Sequence, residues 1–175
     1  MYIIKISKII KEILMTKSLL LVIDLQNAFI NKYTQELQNK IKVIIHSKQY
    51  DKIAFTRFVN FEDSIYAKKL GWKRCINDED KKIVIDVEDN KVFDKYRYSA
   101  VNNKLTEYIN QNKITAIYLC GIDTECCVLK TAFDLFELGY NVYVLKDYCY
   151  CTLGIERNNN ALEILKRNIG KDNII

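Results

Sequence analysis

The stretch TAIYLCGIDTECCVLKTAFDLFELG, residues 115–139, decides the fold of this chain because it joins a buried strand to a helix through a tight turn. Residues 115–120 are apolar, β-branched or aromatic and are followed by Gly121, a pattern that predicts a strand covered on both faces. Thr124 stands where it can cap the next helix, and Gly139 stops that helix. Between them the apolar residues recur at helical spacing and are expected to face inward: Val128, Leu129, Ala132, Phe133 and Phe136.

Cys127 falls in the first turn of this predicted helix. Unpaired backbone N–H groups and the helix dipole favour an anion there, so the thiol pKa is expected to lie about one to five units below the value of about 8.5 for free cysteine. The same N–H groups are placed to hold the oxyanion of an adduct formed on the sulfur. The alternative is a small core hydrophobe, which is the commoner role of a cysteine in a helix. Position alone does not decide between the two.

The rest of the chain alternates strand and helix patterns, which predicts right-handed crossovers and a doubly wound, Rossmann-like, three-layer α/β/α sheet. Further strands are predicted at 18–24, 52–57, 83–87, 92–94 and 140–146, and further helices at 32–48, 63–70, 99–112 and 155–168.

Length and composition indicate one domain. A chain of 175 residues with 49% hydrophobic residues and no proline can bury one sizeable core. Its 27 basic and 22 acidic residues are interspersed, which does not indicate nucleic acid as a partner. Six cysteines without a secretory signal favour a reducing, cytoplasmic setting over a disulfide framework. With His46 as the sole histidine, a zinc site of Cys and His has few possible ligands, and neither a metal nor a cofactor is predicted.

Residues 1–17 alternate apolar residues with lysines at roughly helical spacing. The lysines exclude a membrane-spanning helix and argue against a signal peptide. A basic amphipathic helix on a membrane surface or a partner subunit stays open. We interpret the segment as an extension ahead of a domain at 18–175.

Two charged residues stand at strand ends. Asp24 follows the first predicted strand, where an open α/β sheet lines its ligand crevice, although an aspartate that caps the next turn is equally common. Lys95 lies among Phe93, Tyr96 and Tyr98, a setting that places it beside a buried anion or leaves it as a solvated lysine. The lack of a glycine-rich loop after Asp24 disfavours a nucleotide-binding flavodoxin-like module.

Three aromatic residues are predicted to form the wall of a small-molecule pocket, namely Phe29, Phe58 and Trp72. A packing or subunit-contact role is equally open for Trp72.

Three separated motifs, in this order, resemble the isochorismatase-like cysteine hydrolase superfamily, which includes nicotinamidases and other small amidases. They are VIDLQNAF at 22–29, KYRYSAV at 95–101 and GIDTECCVLKTAFDLFELGYNVYVLKD at 121–147. The resemblance spans nearly the whole chain from Ser18 onward and implies a sheet of six mostly parallel strands.

The resemblance also implies a site. It assigns a catalytic triad to Asp24, Lys95 and Cys127, with Cys126 left as a packing residue. It further implies a cis peptide between Ile122 and Asp123, which turns the Asp123 N–H toward an oxyanion beside the N–H of Cys127.

Two features depart from the family pattern. Nicotinamidases resemble one another in an Asp-x-His and a further histidine that bind a divalent metal, whereas this sequence has Phe58 and Asn60 there and lacks the further histidine. Val101 stands where the family often has phenylalanine. Metal-dependent nicotinamidase activity is therefore not expected.

The predicted function is hydrolysis of a small amide or related C–N bond through a thioester on Cys127, by a homo-oligomer acting on a small molecule. One alternative is a catalytically silent subunit of the same fold that binds a small ligand or serves in assembly. Another is a vinyl-ether hydrolase of the isochorismatase type, which does not need the thiol.

Overall fold

Five parallel strands form one sheet in this computed structural model, which describes residues 17–175. The strands are β1 (Ser18–Ile23), β2 (Lys52–Phe58), β3 (Lys91–Lys95), β4 (Ala116–Ile122) and β5 (Asn141–Tyr150). Their hydrogen-bonded order is β3-β2-β1-β4-β5. The predicted extension, apart from Lys17, lies outside the described residues.

The apolar run predicted as a strand at 18–24 forms β1, the central strand of the sheet. Leu19 to Ile23 are fully buried, as a strand covered on both faces requires. β1 pairs with β2 on one side and with β4 on the other.

The direction of the winding reverses between β1 and β4. From β1 the chain moves outward to β2 and β3, then crosses back to β4 and continues to β5. Right-handed crossovers therefore place the connecting helices of the two halves on opposite faces of the sheet, as a doubly wound fold requires. Strand order of this kind opens a ligand crevice at the carboxyl ends of β1 and β4.

Six helices flank the sheet in the described part of the chain: α1 (Leu37–His46), α2 (Ile65–Leu70), α3 (Asp78–Lys81), α4 (Asn103–Gln111), α5 (Leu129–Glu137) and α6 (Ile155–Ile169). Helix α4 begins later than the predicted residue 99 because Asn102 caps it by accepting from the Leu105 N–H. Helix α1 also begins later than predicted, because residues 32–36 form turns.

The predicted strand at 83–87 is wrong, and six strands are not found in the described residues. Only Ile83 pairs, in a single antiparallel bridge with Gln26. The Val84 N–H donates to the Leu25 carbonyl, so the segment covers the loop after β1 instead of extending the sheet. Its apolar residues pack against the core without a strand partner, a distinction that hydrophobicity does not encode.

Two local predictions near the sheet's end are also corrected. Strand β5 runs past Asp147 to Tyr150, so Asp147 is an exposed strand residue rather than a strand terminus. On α5 Ala132 is buried as predicted, but Leu135 is buried in place of Phe136, which is 44% exposed. None of the helices in the described residues is long and apolar enough to span a bilayer.

Candidate active site

Asp24, Lys95 and Cys127 meet at the carboxyl edge of the sheet. Asp24 directly follows β1, Lys95 is the last residue of β3, and Cys127 lies in the turn after β4. Parallel strands present their carboxyl ends at one edge, so residues far apart in sequence converge there. Asp24 has a φ of 47°, which is uncommon for a residue other than glycine and turns the chain sharply at this point.

The Lys95 ammonium lies between the other two groups. Its Nζ is 2.7 Å from Oδ2 of Asp24 and 3.3 Å from Sγ of Cys127. It also donates to the carbonyls of Arg97 at 2.9 Å and Tyr98 at 3.1 Å. The side chains of Asp24 and Lys95 are at most 2% exposed, and Cys127 is 6% exposed. The ammonium is therefore fully engaged inside the protein.

Thr56 is a member of this cluster that the sequence reasoning missed. Its hydroxyl donates to Oδ1 of Asp24 at 2.7 Å and accepts from the Asp24 N–H at 3.1 Å. The residue is fully buried on β2. A polar residue directly after the apolar residues 53–55 was the available signal. The β1–β2 register that sets it beside Asp24 could not be read from the sequence.

The electrostatics differ from the prediction of a low thiol pKa. Burial raises the pKa of the Cys127 thiol well above its ordinary value; the Asp24 carboxylate raises it further, and the Lys95 ammonium only partly opposes this. A nearly closed environment disfavours the thiolate more than a helix terminus favours it. The burial of Cys127 therefore favours the neutral thiol over the thiolate.

Lys95 keeps its charge although it is buried. Burial by itself lowers the pKa of Lys95, but the neighbouring Asp24 carboxylate outweighs that effect and raises it above its ordinary value. The resting site thus holds an Asp24–Lys95 ion pair beside a protonated sulfur.

The turn that carries Cys127 is held by close backbone contacts. The peptide between Ile122 and Asp123 is cis, as the family resemblance implied. Residues Thr124–Val128 form a π turn in which the N–H groups of Cys126 and Val128 both donate to the Asp123 carbonyl.

Thr124 was expected to cap the helix, but its hydroxyl donates to Oδ1 of Asn158 on α6 at 2.5 Å and so ties the turn to that helix. Gly121, just before the turn, is required by close packing. A Cβ there would lie 2.1 Å from the Ile23 carbonyl oxygen, and its φ is 125°. The ends of β1 and β4 therefore approach as closely as backbones can.

Thr152 fixes the side chain of Asp123. Its N–H donates to Oδ1 of Asp123 at 2.5 Å and its hydroxyl to Oδ2 at 2.9 Å. Burial raises the pKa of Asp123, and these two hydrogen bonds oppose the shift. Both carboxyl oxygens are thereby held, and the peptide that precedes Asp123 is anchored.

A cavity of about 240 Å³ opens onto Cys127. The three predicted wall residues all line it. The sequence reasoning missed three further wall residues, Tyr66, Leu70 and Tyr98, as well as the part played by Asp123 and Cys126. Cys126 is half-buried and packs against the core, in line with its interpretation as a packing residue, and it also borders the cavity. Asp24 and Lys95 do not line this cavity.

The positions where the resemblance places metal ligands are otherwise engaged. The Phe58 ring lies 4.8 Å from the Lys95 Nζ. Asn60 is buried, and its amide nitrogen donates to the carbonyls of Trp72 and Arg74, both at 3.1 Å. Among residues 17–175 no three His, Cys, Asp or Glu side chains are grouped closely enough to hold a metal ion.

Comparison with known proteins identifies the family. The family model described as the isochorismatase domain matches residues 18–171. The chain belongs to the isochorismatase family. Isochorismatase family protein 1B of Dictyostelium discoideum is 29% identical over 166 residues, covering 86% of this chain and 69% of that protein. The secreted isochorismatase effector Isc1 of Phytophthora sojae is 31% identical over 157 residues, with the same coverage of 86% and 69%.

Several solved structures share the fold described above. A pyrazinamidase of Pyrococcus horikoshii, solved in complex with zinc, is 26% identical with a TM-score of 0.77, covering 90% of this chain and 97% of that one. The yeast nicotinamidase Pnc1p, bound to nicotinaldehyde, gives a TM-score of 0.78 at 22% identity, covering 90% and 99%. An N-carbamoylsarcosine amidase from Thermoplasma acidophilum gives 0.75 at 20% identity, covering 89% and 94%.

Proposed function

We propose that this chain is a cysteine hydrolase that cleaves a small amide through a thioester on Cys127. The observation that carries the proposal is the Lys95 ammonium, which lies 2.7 Å from the Asp24 carboxylate and 3.3 Å from the Cys127 sulfur. The sulfur of this group faces a cavity that can admit a small molecule. The similarity to the Pyrococcus horikoshii pyrazinamidase supports an amide as the substrate.

In the first step the sulfur attacks the amide carbonyl. Because the thiol pKa is raised by burial, a base must take the proton as the S–C bond forms. The Asp24 carboxylate is that base in this proposal, since its Oδ2 and the Cys127 sulfur lie beside the same Lys95 ammonium, at 2.7 Å and 3.3 Å. Lys95 stabilises the developing thiolate, because it is charged and within 3.3 Å of the sulfur.

The tetrahedral oxyanion is assigned to the backbone N–H groups of Asp123 and Cys127. Loss of one such donor typically lowers the rate about a hundredfold to a thousandfold. The Thr152 contacts that anchor Asp123 keep its N–H in place. Collapse of the adduct breaks the C–N bond, and Asp24 returns its proton to the departing ammonia or amine.

Water completes the cycle. Asp24, again a carboxylate, removes a proton from a water molecule that attacks the thioester, and the C–S bond breaks to release a carboxylic acid. The thiolate that leaves takes up the proton held by Asp24. Every group then has its starting charge, and Lys95 remains an ammonium throughout.

The test is release of ammonia from a panel of small primary amides. We expect activity in the unmodified chain and loss of about a thousandfold or more in Cys127→Ala and Asp24→Asn. Cys126→Ala is the matched control, since it removes the neighbouring thiol at the same cavity. Hydroxylamine added during turnover should intercept the thioester and yield a hydroxamate.

Three outcomes would overturn the proposal. Activity that survives Cys127→Ala but not Asp24→Asn would favour vinyl-ether hydrolysis. If Cys126→Ala lost as much activity as Cys127→Ala, Cys127 would not be identified as the nucleophile. No turnover of any amide in the panel would favour a catalytically silent subunit.

A further inference from the structure

Five of the residues that line the cavity above Cys127 are aromatic, and their rings pack on one another. Phe29 and Trp72 are stacked, with ring centroids 6.0 Å apart and planes inclined by 11°. The Phe58 ring meets Trp72 edge to face at 5.6 Å, and Tyr66 meets Tyr98 in the same way at 5.1 Å. Each ring is supported by another, so the apolar surface is formed before a ligand arrives.

The described part of the chain offers a ligand in this cavity no accessible cation. Among residues 17–175, those that line it include no lysine, arginine or histidine. The nearest ammonium, on Lys95, is 2% exposed and is directed at Asp24, Cys127 and two carbonyls. Within residues 17–175 the one acidic group on the wall is the Asp123 carboxyl, whose oxygens Thr152 already holds.

The aromatic wall and the lack of an accessible cation among residues 17–175 favour some acyl groups over others. A carboxylate on the substrate would give up its water, gain no positive partner and face Asp123, and an unpaired buried charge is the most costly group to desolvate. A hydrocarbon group would gain from leaving water and contacting the rings. The volume of about 240 Å³ is smaller than the roughly 300–1,000 Å³ typical of drug-sized ligands, so the group must be small.

We propose that the cavity selects small amides whose acyl group is uncharged and mostly hydrocarbon, and rejects amides whose acyl group carries a carboxylate. The inference rests on the proposed function for its reference to amides. It goes beyond that function because it names the acyl group that can enter.

Trp72 gives a direct readout of binding. It is the sole tryptophan of the chain and lines the cavity, so its fluorescence reports ligands there alone. The full chain carrying Cys127→Ser would be titrated with 3-methylbutanamide and with malonamate, in which a carboxylate replaces an isopropyl group of nearly the same shape. We expect 3-methylbutanamide to bind about a hundredfold more tightly or better. Malonamate binding within tenfold of it, or no response to 3-methylbutanamide, would overturn the proposal.

A gain of binding provides the second test. Leu70 lines the rim of the cavity and is 65% exposed, so Leu70→Lys adds a cation there without disturbing the core. Introduced together with Cys127→Ser, it should tighten malonamate binding by about tenfold, because the carboxylate then has a partner. Leu138→Lys is the matched control, because Leu138 is similarly exposed, at 57%, and does not line the cavity. Equal effects of the two lysines, or none, would contradict the charge argument.

The two proposals fail in distinguishable ways. If the uncharged amide binds Cys127→Ser as expected but the unmodified chain hydrolyses no amide, the proposed function is wrong and the selectivity of the cavity stands. If malonamate is hydrolysed as well as 3-methylbutanamide in a Cys127-dependent reaction, the function stands and the selectivity is wrong.

Discussion

The Thr56 hydroxyl donates a 2.7 Å hydrogen bond to Oδ1 of Asp24, and both side chains are fully buried. The other carboxylate oxygen, Oδ2, has the Lys95 ammonium at 2.7 Å and no further hydrogen-bond partner within residues 17–175. One oxygen is thus held by a neighbouring strand, while the second is left for the ion pair and for the proton of Cys127. Thr56 positions the proposed base without contacting the cavity.

Thr56→Val should lower kcat by about ten- to a hundredfold and leave KM nearly unchanged, because a hydrogen bond to a charged group contributes about 1.5–3 kcal/mol. Thr56→Ser keeps the hydroxyl and should restore most of the rate. Steady-state kinetics on an amide substrate, with urea denaturation to verify folding, would measure both. If Thr56→Val and Thr56→Ser had the same kcat, the hydroxyl would have no role in positioning Asp24.

Lys95→Met should destabilise the protein by about 3–5 kcal/mol, because it leaves the buried Asp24 carboxylate without its counter-charge. The double variant Lys95→Met with Asp24→Asn removes both charges and should recover much of this loss. Urea unfolding of the two variants and of Asp24→Asn alone completes a double-mutant cycle. Additive losses in the double variant would show that the two residues do not stabilise each other.

The sequence predicted this site better than it predicted the sheet around it. Strand starts and the turn after β4 follow from local patterns of apolar residues and glycine, and three motifs placed Asp24, Lys95 and Cys127 in one family signature. The strand at 83–87 failed because an apolar segment that covers a loop has the same pattern as a buried strand. Pairing partners are a property of the whole fold.

The same limit explains what was missed around the site. Thr56 depends on the β1–β2 register, and Tyr66 and Tyr98 reach the cavity from segments whose relative position no local pattern encodes. The sign of the Cys127 pKa shift was wrong for a related reason. Its location at a helix start was readable, but the depth of its burial was not.

Alkylation of Cys127 by iodoacetamide at pH 7 should be slower than that of free cysteine, because burial raises its pKa and the thiolate is the reactive form. Asp24→Asn should speed the labelling, since the Asp24 carboxylate raises the thiol pKa, and Lys95→Met should slow it, since Lys95 lowers that pKa. Peptide mass spectrometry would measure the labelling rate of each cysteine at a series of pH values. If Cys127 were labelled rapidly and its labelling rate did not increase above pH 7, the sulfur would be a stable thiolate instead.

Stability should fall in alkaline solution because several buried thiols hold their protons more tightly in the folded protein. Burial raises the pKa values of Cys75, Cys149 and Cys151 to about 12. In the unfolded chain these thiols have pKa values of about 8.5, so between there and about pH 12 the unfolded state binds fewer protons than the folded state. The stabilisation is complete below about pH 8.5, and each thiol then removes up to about 1.4 kcal/mol for each further pH unit. Urea midpoints measured at intervals from pH 7 to pH 10.5 should decline above pH 8.5, and Cys149→Ala should make the decline less steep while lowering the whole curve for its lost packing. A slope unchanged by Cys149→Ala would show that this thiol is not the origin of the alkaline sensitivity.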